Sequence, residues 1–336
     1  MKKQNFDQFF RDFHFVDCAV RDRLTIYLLG RKEYMAEEGG NEPDEADVIK
    51  RLSNLFLDET EDERYGYTEL TGFRTTNIEV SQGSKPHVVA VDYRAYVYAM
   101  GSGYDNMETQ VPWDDEKGPQ RGGIGKLRNI DGYVYGVGGW RSVCRREGPN
   151  HWIPLWDKTL PRPKVKQNVD RLKYGFEDIH GFSANDLYAV GGEGDVWHYD
   201  GKRWKQIPFP SNMDLYNVCC GGDGQVSIGG RSGAIFRGRE NRWQKLEGGG
   251  LSLRIADMEW YQGKVWCTND YGIWTIEDSG LERVSLPDAV RGCAGHLAVG
   301  DGVMVIAGMY GAALHDGKEW QTLVDLVDLY KRYGRE

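Results

Sequence analysis

Residues 198–207 read HYDGKRWKQI, and residues 314–323 read LHDGKEWQTL. A weaker copy, RGRENRWQKL, lies between them and places Trp243 39 residues after Trp204. Trp320 follows 77 residues later, two further steps of almost the same length, with Leu281 of SGLERVSL at the intermediate position. A second marker shares the period. The turns GGEG, GRSG, NDYG and GMYG end at Gly194, Gly233, Gly272 and Gly311, each 39 residues after the last. Two markers with one period signal a repeated supersecondary unit.

Each copy divides into four short apolar runs bounded by Gly, Asp and Asn. In DIHGFSANDLYAVGGEGDVWHYDGKRWKQIPF an initial run is followed by DLYAV, DVWHY and RWKQI. Runs of this length and composition are antiparallel strands, and four per roughly 40 residues make a propeller blade. GYVYGVGGWRSVCRREGPNHWIPLW (132–156) reads as another blade, offset by an insertion around PRPKVKQNVDRLKYGF. VVAVDYRAYVYAMGSG (88–103) reads as the first two strands of a further one. FVDCAVRDRLTIYLLG (15–30) opens the first blade, with YGYTEL and NIEV following its insertion. The predicted fold is all-β: one seven-bladed β-propeller over residues 1–336, with four-stranded blades, an acidic insertion at 33–63 and a short C-terminal helix at 326–336.

The phrases Asp200-Gly201-x-x-Trp204 and Asp316-Gly317-x-x-Trp320, with the glycine turns before them, resemble those of bacterial seven-bladed propellers with WD-repeat-like or Asp-box-like repeats. The Asp–Gly spacing is one residue shorter than the usual Asp box. The Trp–Asp dipeptides at Trp113-Asp114 and Trp156-Asp157 stand outside a full WD-repeat pattern. The physical role is local: Asp and Gly close the hairpin between the third and fourth strands, and Trp covers the outer strand.

Composition agrees with a turn-rich, folded chain. There are 44 glycines against 11 prolines, and 40% of the residues are hydrophobic. No apolar run approaches the ~18 residues of a membrane span. The start, MKKQNFDQFFRDFHF, lacks the apolar stretch of a secretory signal, so a cytoplasmic protein is expected. The six cysteines form no CxxC pair and sit in strand-like contexts, which predicts buried free thiols.

Catalytic signatures are sparse. The seven histidines show no metal-ligand spacing, and the glycine-rich turns lie between strands rather than ahead of a helix. His180 and His296 fall in innermost strands and read as structural, as does the pair Cys219-Cys220. No enzyme activity, cofactor or metal is expected. Function is sought instead on the loops, which a propeller holds rigidly on one face. The predicted tips between second and third strands carry Tyr104 and Asp105, Trp140 and Arg141, Glu193, Arg231, Asp270 and Tyr271, and Tyr310. Aromatic side chains beside charges have the composition of a protein-binding surface.

The strongest anomaly is charge. Residues 33–63 hold twelve acids and two bases, a net charge of −10 in a chain whose total is −9. Within them, EPDEADVIKRLSNLFL predicts a short helix with Leu52, Leu55 and Phe56 on one side. Glu37, Glu38, Asp44 and Glu45 would steer a basic partner onto the adjoining face, a charge sign that disfavours nucleic acid. By analogy with compact acidic bacterial propellers, the expectation is a cytosolic immunity protein that binds a basic toxin or nuclease. A carbohydrate-active propeller and a scaffold subunit are the alternatives.

Overall fold

The computed structural model describes residues 1–34, 42–114, 116–163, 174–247 and 250–334. Seven four-stranded antiparallel sheets span residues 13–70, 76–108, 124–154, 176–206, 215–246, 257–283 and 295–325. In every sheet the strands, here A to D, pair in chain order, and the A strands form the inner ring. This is a seven-bladed propeller. Its core is not a single mass but seven apolar clusters, one in each gap between neighbouring blades. Each blade therefore buries both faces, and the B strands, such as His87–Asp92 and Val303–Gly308, are buried throughout, whereas the outer D strands are largely exposed.

The repeated phrase does what its residues dictate. The Asp200 carboxylate accepts the backbone N–H groups of Lys202 and Arg203 (3.0 and 2.9 Å), and Asp316 repeats this with Lys318 and Glu319. Gly201 and Gly317 turn the chain at positive φ. The Trp204 indole is buried and donates to the Leu155 carbonyl at 2.7 Å, tying blade 4 to the end of blade 3.

Two expectations are corrected in the first two blades. Residues 50–56 are not a helix but strand C of blade 1 (Lys50–Phe56). Leu52 and Leu55 mimic a helical stripe, yet they point to opposite faces of the sheet. Leu52 packs toward blade 2 and Leu55 toward blade 7. The run 88–103 supplies strands B and C of blade 2, whose A strand is Thr76–Ser81, the NIEV segment assigned from sequence to blade 1. The acidic stretch is consequently not one insertion. Among the described residues, 33, 34 and 42–49 belong to the B–C connection of blade 1, and 57–64 form its C–D connection at the opposite end of the sheet.

The ring closes without a shared strand: blade 1 and blade 7 are each built from a single contiguous stretch. Helix α1 (Lys3–Phe9) lies on strand D of blade 1, and a C-terminal helix spans Leu326–Tyr333. Phe6 meets Tyr330 edge-on at 5.0 Å and stacks on Tyr333 at 6.0 Å, while the Tyr333 hydroxyl donates to the Met1 carbonyl. The terminal amine pairs with Glu61 and Lys2 with Asp62, so the acids of 57–64 anchor the N-terminus.

Candidate functional site

Strand alternation places all B–C turns and all D–A linkers on one face. The positions of the exposed apolar side chains distinguish that face from the other. Of twelve large apolar residues exposed among the described residues, eight lie on it: Tyr34, Tyr96, Trp113, Leu253, Tyr271, Met309, Tyr310 and Val327. Sequence alone identified Trp140, Arg141, Glu193, Arg231, Asp270, Tyr271 and Tyr310 as tip residues, and all seven occupy B–C turns. Tyr271 is 67% exposed. Tyr104 and Asp105 do not belong with them. They follow the C–D turn of blade 2 on the opposite face, where Tyr104 packs beside His87 and Asp105 accepts from the Tyr98 hydroxyl. The blade 2 tip is instead Tyr93–Tyr96, hidden from sequence reading by the one-strand error in frame.

The charged tips are not equivalent. Arg141 grips Asp195 through two hydrogen bonds (2.6 and 2.9 Å), donates to the Pro161 carbonyl and lies 4.8 Å over the Trp197 ring. It braces blade 3 against blade 4. Arg231 is more exposed and pairs with Asp214. Asp44 pairs with Arg74 at 2.9 Å, and Glu45 binds Arg31 (2.8 Å) and the almost fully buried Lys50 (3.0 Å). The Arg31 guanidinium holds the Glu45 carboxyl below its ordinary range, with Lys50 assisting. Those two acids hold the loop in place, and much of their charge is met within the chain. Glu37 and Glu38 lie outside the described residues.

Between the tips of blades 2 and 3 is a cavity of about 540 Å³, lined by Tyr93, Arg94, Gln110, Val111, Pro112, Trp113, Gln120, Gly122, Gly123, Gly139 and Trp140. Its floor is bare backbone. A Cβ on Gly122 would come 2.2 Å from the Gly139 carbonyl, and one on Gly123 would meet the Tyr93 ring at 2.5 Å. Trp113 stands on the D–A linker 69% exposed. Sequence offered it only as half of a Trp–Asp dipeptide.

The other polar concentration is axial. Asp17, Asp178 and Asp257 on A strands each accept the N–H of the next residue and an N–H from the following blade: Ile78, Val218 and Leu297. Glu79 does the same with Val80 and Asn129. Arg128 forks onto Asp178 (2.9 Å twice) and reaches Asp257 and Glu259, both at 2.6 Å. Burial opposes its charge, but these carboxylates outweigh it and raise its pKa further. For Asp257, burial is likewise overcome by Arg128 and Lys126, and its carboxyl is held well below the usual range. For Glu79 burial dominates and pushes the carboxyl up to about 8. The axis is a set of staples between inner strands. His180 takes part as an acceptor from Cys220 N–H at 3.2 Å. All six cysteines are buried and free, as their strand contexts predicted.

Among the described residues no helix is long and apolar enough to cross a membrane, and no group of three or more His, Cys, Asp or Glu could hold a metal. No family model matches the chain. Among solved structures, the WD40 propeller domain of Doa1 superposes with a TM-score of 0.59 at 12% identity, covering 91% of this chain and 94% of that one. YCF48 with a bound D1 peptide gives 0.58 at 13%, covering 95% and 96%. These likenesses carry the fold alone. A curated relative goes further: the immune protein Tsi7 of Pseudomonas aeruginosa is 33% identical over 230 residues, 68% of this chain and 73% of that protein. At that degree of identity and coverage, the chain belongs to the family of the immune protein Tsi7.

Proposed function

We propose that this protein is an immunity protein: a non-enzymatic binder that neutralises a toxin by covering it with the B–C face. The observation that carries this reading is the kinship with an immune protein over two thirds of the chain. The concentration of exposed aromatics on one face supports a protein partner, because such side chains dominate interface energetics. The channel carboxylates are committed to holding blades together, which leaves the face rather than the axis as the working surface. The segment 33–49 carries seven acids and no base, and with Asp44 and Glu45 paired to Arg74, Arg31 and Lys50, five acids are left over. That surplus fits a basic partner approaching the same face.

The test pairs the protein, one at a time, with the antibacterial toxins of the bacterium that makes it. Cells producing both should survive while cells producing the toxin alone die, and the two purified proteins should form a stoichiometric complex. Protection without a complex would overturn the binding reading, and absence of protection would overturn immunity.

A further inference from the structure

The B–C turn of blade 3 is built differently from its neighbours. In blades 4 and 5 the two left-handed positions are Glu193-Gly194 and Ser232-Gly233, with glycine second. In blade 3 they are Trp140 (φ 60°) and Arg141 (φ 58°), two bulky residues in a conformation that costs each about 1–2 kcal/mol. The surroundings enforce it. Arg141 is clamped by Asp195 and the Pro161 carbonyl, and the Trp140 N–H donates to the Tyr174 carbonyl at 2.7 Å. The result of this strain is an indole on the wall of the cavity between blades 2 and 3.

The facing wall is equally fixed. The linker that carries Trp113 is tied by Gln120, whose amide donates to the Val111 carbonyl (2.7 Å). Asp114 accepts the N–H groups of Glu116 and Lys117 (2.7 and 3.0 Å). Two aromatic walls over a glycine floor leave a cavity within the size range of ligand sites. Its rim at Trp113 carries two exposed acids, Asp114 and Glu116, and one exposed base, Lys117. The rest of the rim is mixed in charge: Arg94 lies within electrostatic reach of Asp44, which is paired with Arg74, and the Arg162 guanidinium stands 5.5 Å from the Trp140 ring.

We infer that this cavity is the anchor site of the toxin interface, taking a bulky aromatic or aliphatic side chain that lies next to a lysine or arginine of the toxin. The inference rests on the immunity reading above. The braced backbone under both walls limits the ordering cost of docking, and burial of the exposed Trp113 indole supplies the gain.

The test uses the full chain and the toxin against which it protects. Trp113→Ala removes an exposed side chain, and Gln110→Trp blocks the cavity mouth. Each should raise Kd at least about 30-fold, mainly through faster dissociation, with the melting temperature little changed. Tyr133→Ala on the opposite face should alter Kd less than about twofold. A photo-crosslinking residue at position 110 should capture a toxin segment with an apolar side chain beside a basic one. Wild-type affinity in both Trp113→Ala and Gln110→Trp would overturn the anchor site while leaving immunity intact. A captured segment without that chemistry would overturn the stated ligand, and a wild-type protein that does not bind the toxin would overturn both readings.

Discussion

Two side chains show how the same ring treats polar and apolar groups. Trp204 fills the joint between blades 3 and 4 and spends its only donor on Leu155. Trp204→Ala should lower stability by about 3–5 kcal/mol in denaturant titration, since a rigid joint cannot close over the cavity. Glu79 is the opposite case, a carboxyl whose desolvated position on the axis pushes it from an ordinary 4.5 to about 8. Between those values the folded chain keeps a proton that the unfolded chain has released. Stability should therefore fall as pH rises from about 4.5 to about 8 and level off above, because the unfolded state binds fewer protons in that window. Denaturation midpoints across this range check the sign, and Glu79→Gln should flatten the slope.

At the level of elements, strand C of blade 1 is the most informative. Its acid-rich flanks and the spacing of Leu52, Leu55 and Phe56 suggested a helix on an acidic insertion. Burial on both faces makes it a strand, and the ion pairs of Glu45 fasten the loop before it. Glu45→Gln should destabilise the fold by about 1.5–3 kcal/mol, because it weakens the charged hydrogen bonds to Arg31 and to a Lys50 ammonium that has little water available. Equilibrium unfolding measures this directly. An unchanged midpoint would return Glu45 to the solvated, steering role that sequence suggested.

At the level of the whole molecule, closure is the weak point of any ring. Here the termini guard it: α1 and the C-terminal helix pack over the gap between blades 7 and 1, with Phe6 and Phe10 fully buried. Deleting residues 1–11 removes both aromatics and the anchoring of Met1 and Lys2 to Glu61 and Asp62. The melting temperature should fall by about 10 °C or more, with blades 1 and 7 first to lose hydrogen-exchange protection. A truncated chain that melts like the intact one would place closure in the sheets alone.

The 39-residue period, the Asp–Gly turns and the tryptophans after them are local signals that determined the last four blades and their turn chemistry, and the apolar runs at 15–30, 88–103 and 132–156 extended the count to seven and gave most of the tip residues without any knowledge of packing. The errors arose where local signals ran out. Strand C of blade 1 matches a helical period because its leucines face different blades, and only the ring supplies those neighbours. Blade 2 was read one strand out of frame because its A strand, Thr76–Ser81, alternates polar with apolar residues, whereas strand B is a fully buried apolar run that looks like an innermost strand. The acids of 33–63 are one run in sequence, but strand alternation sends 42–49 to one face and 57–64 to the other, where they serve the N-terminus. The cavity between blades 2 and 3 has no sequence signature at all. It exists because distant backbones at Gly122, Gly123 and Gly139 touch, and because the tertiary clamp on Arg141 holds Trp140 in a conformation its own sequence would avoid.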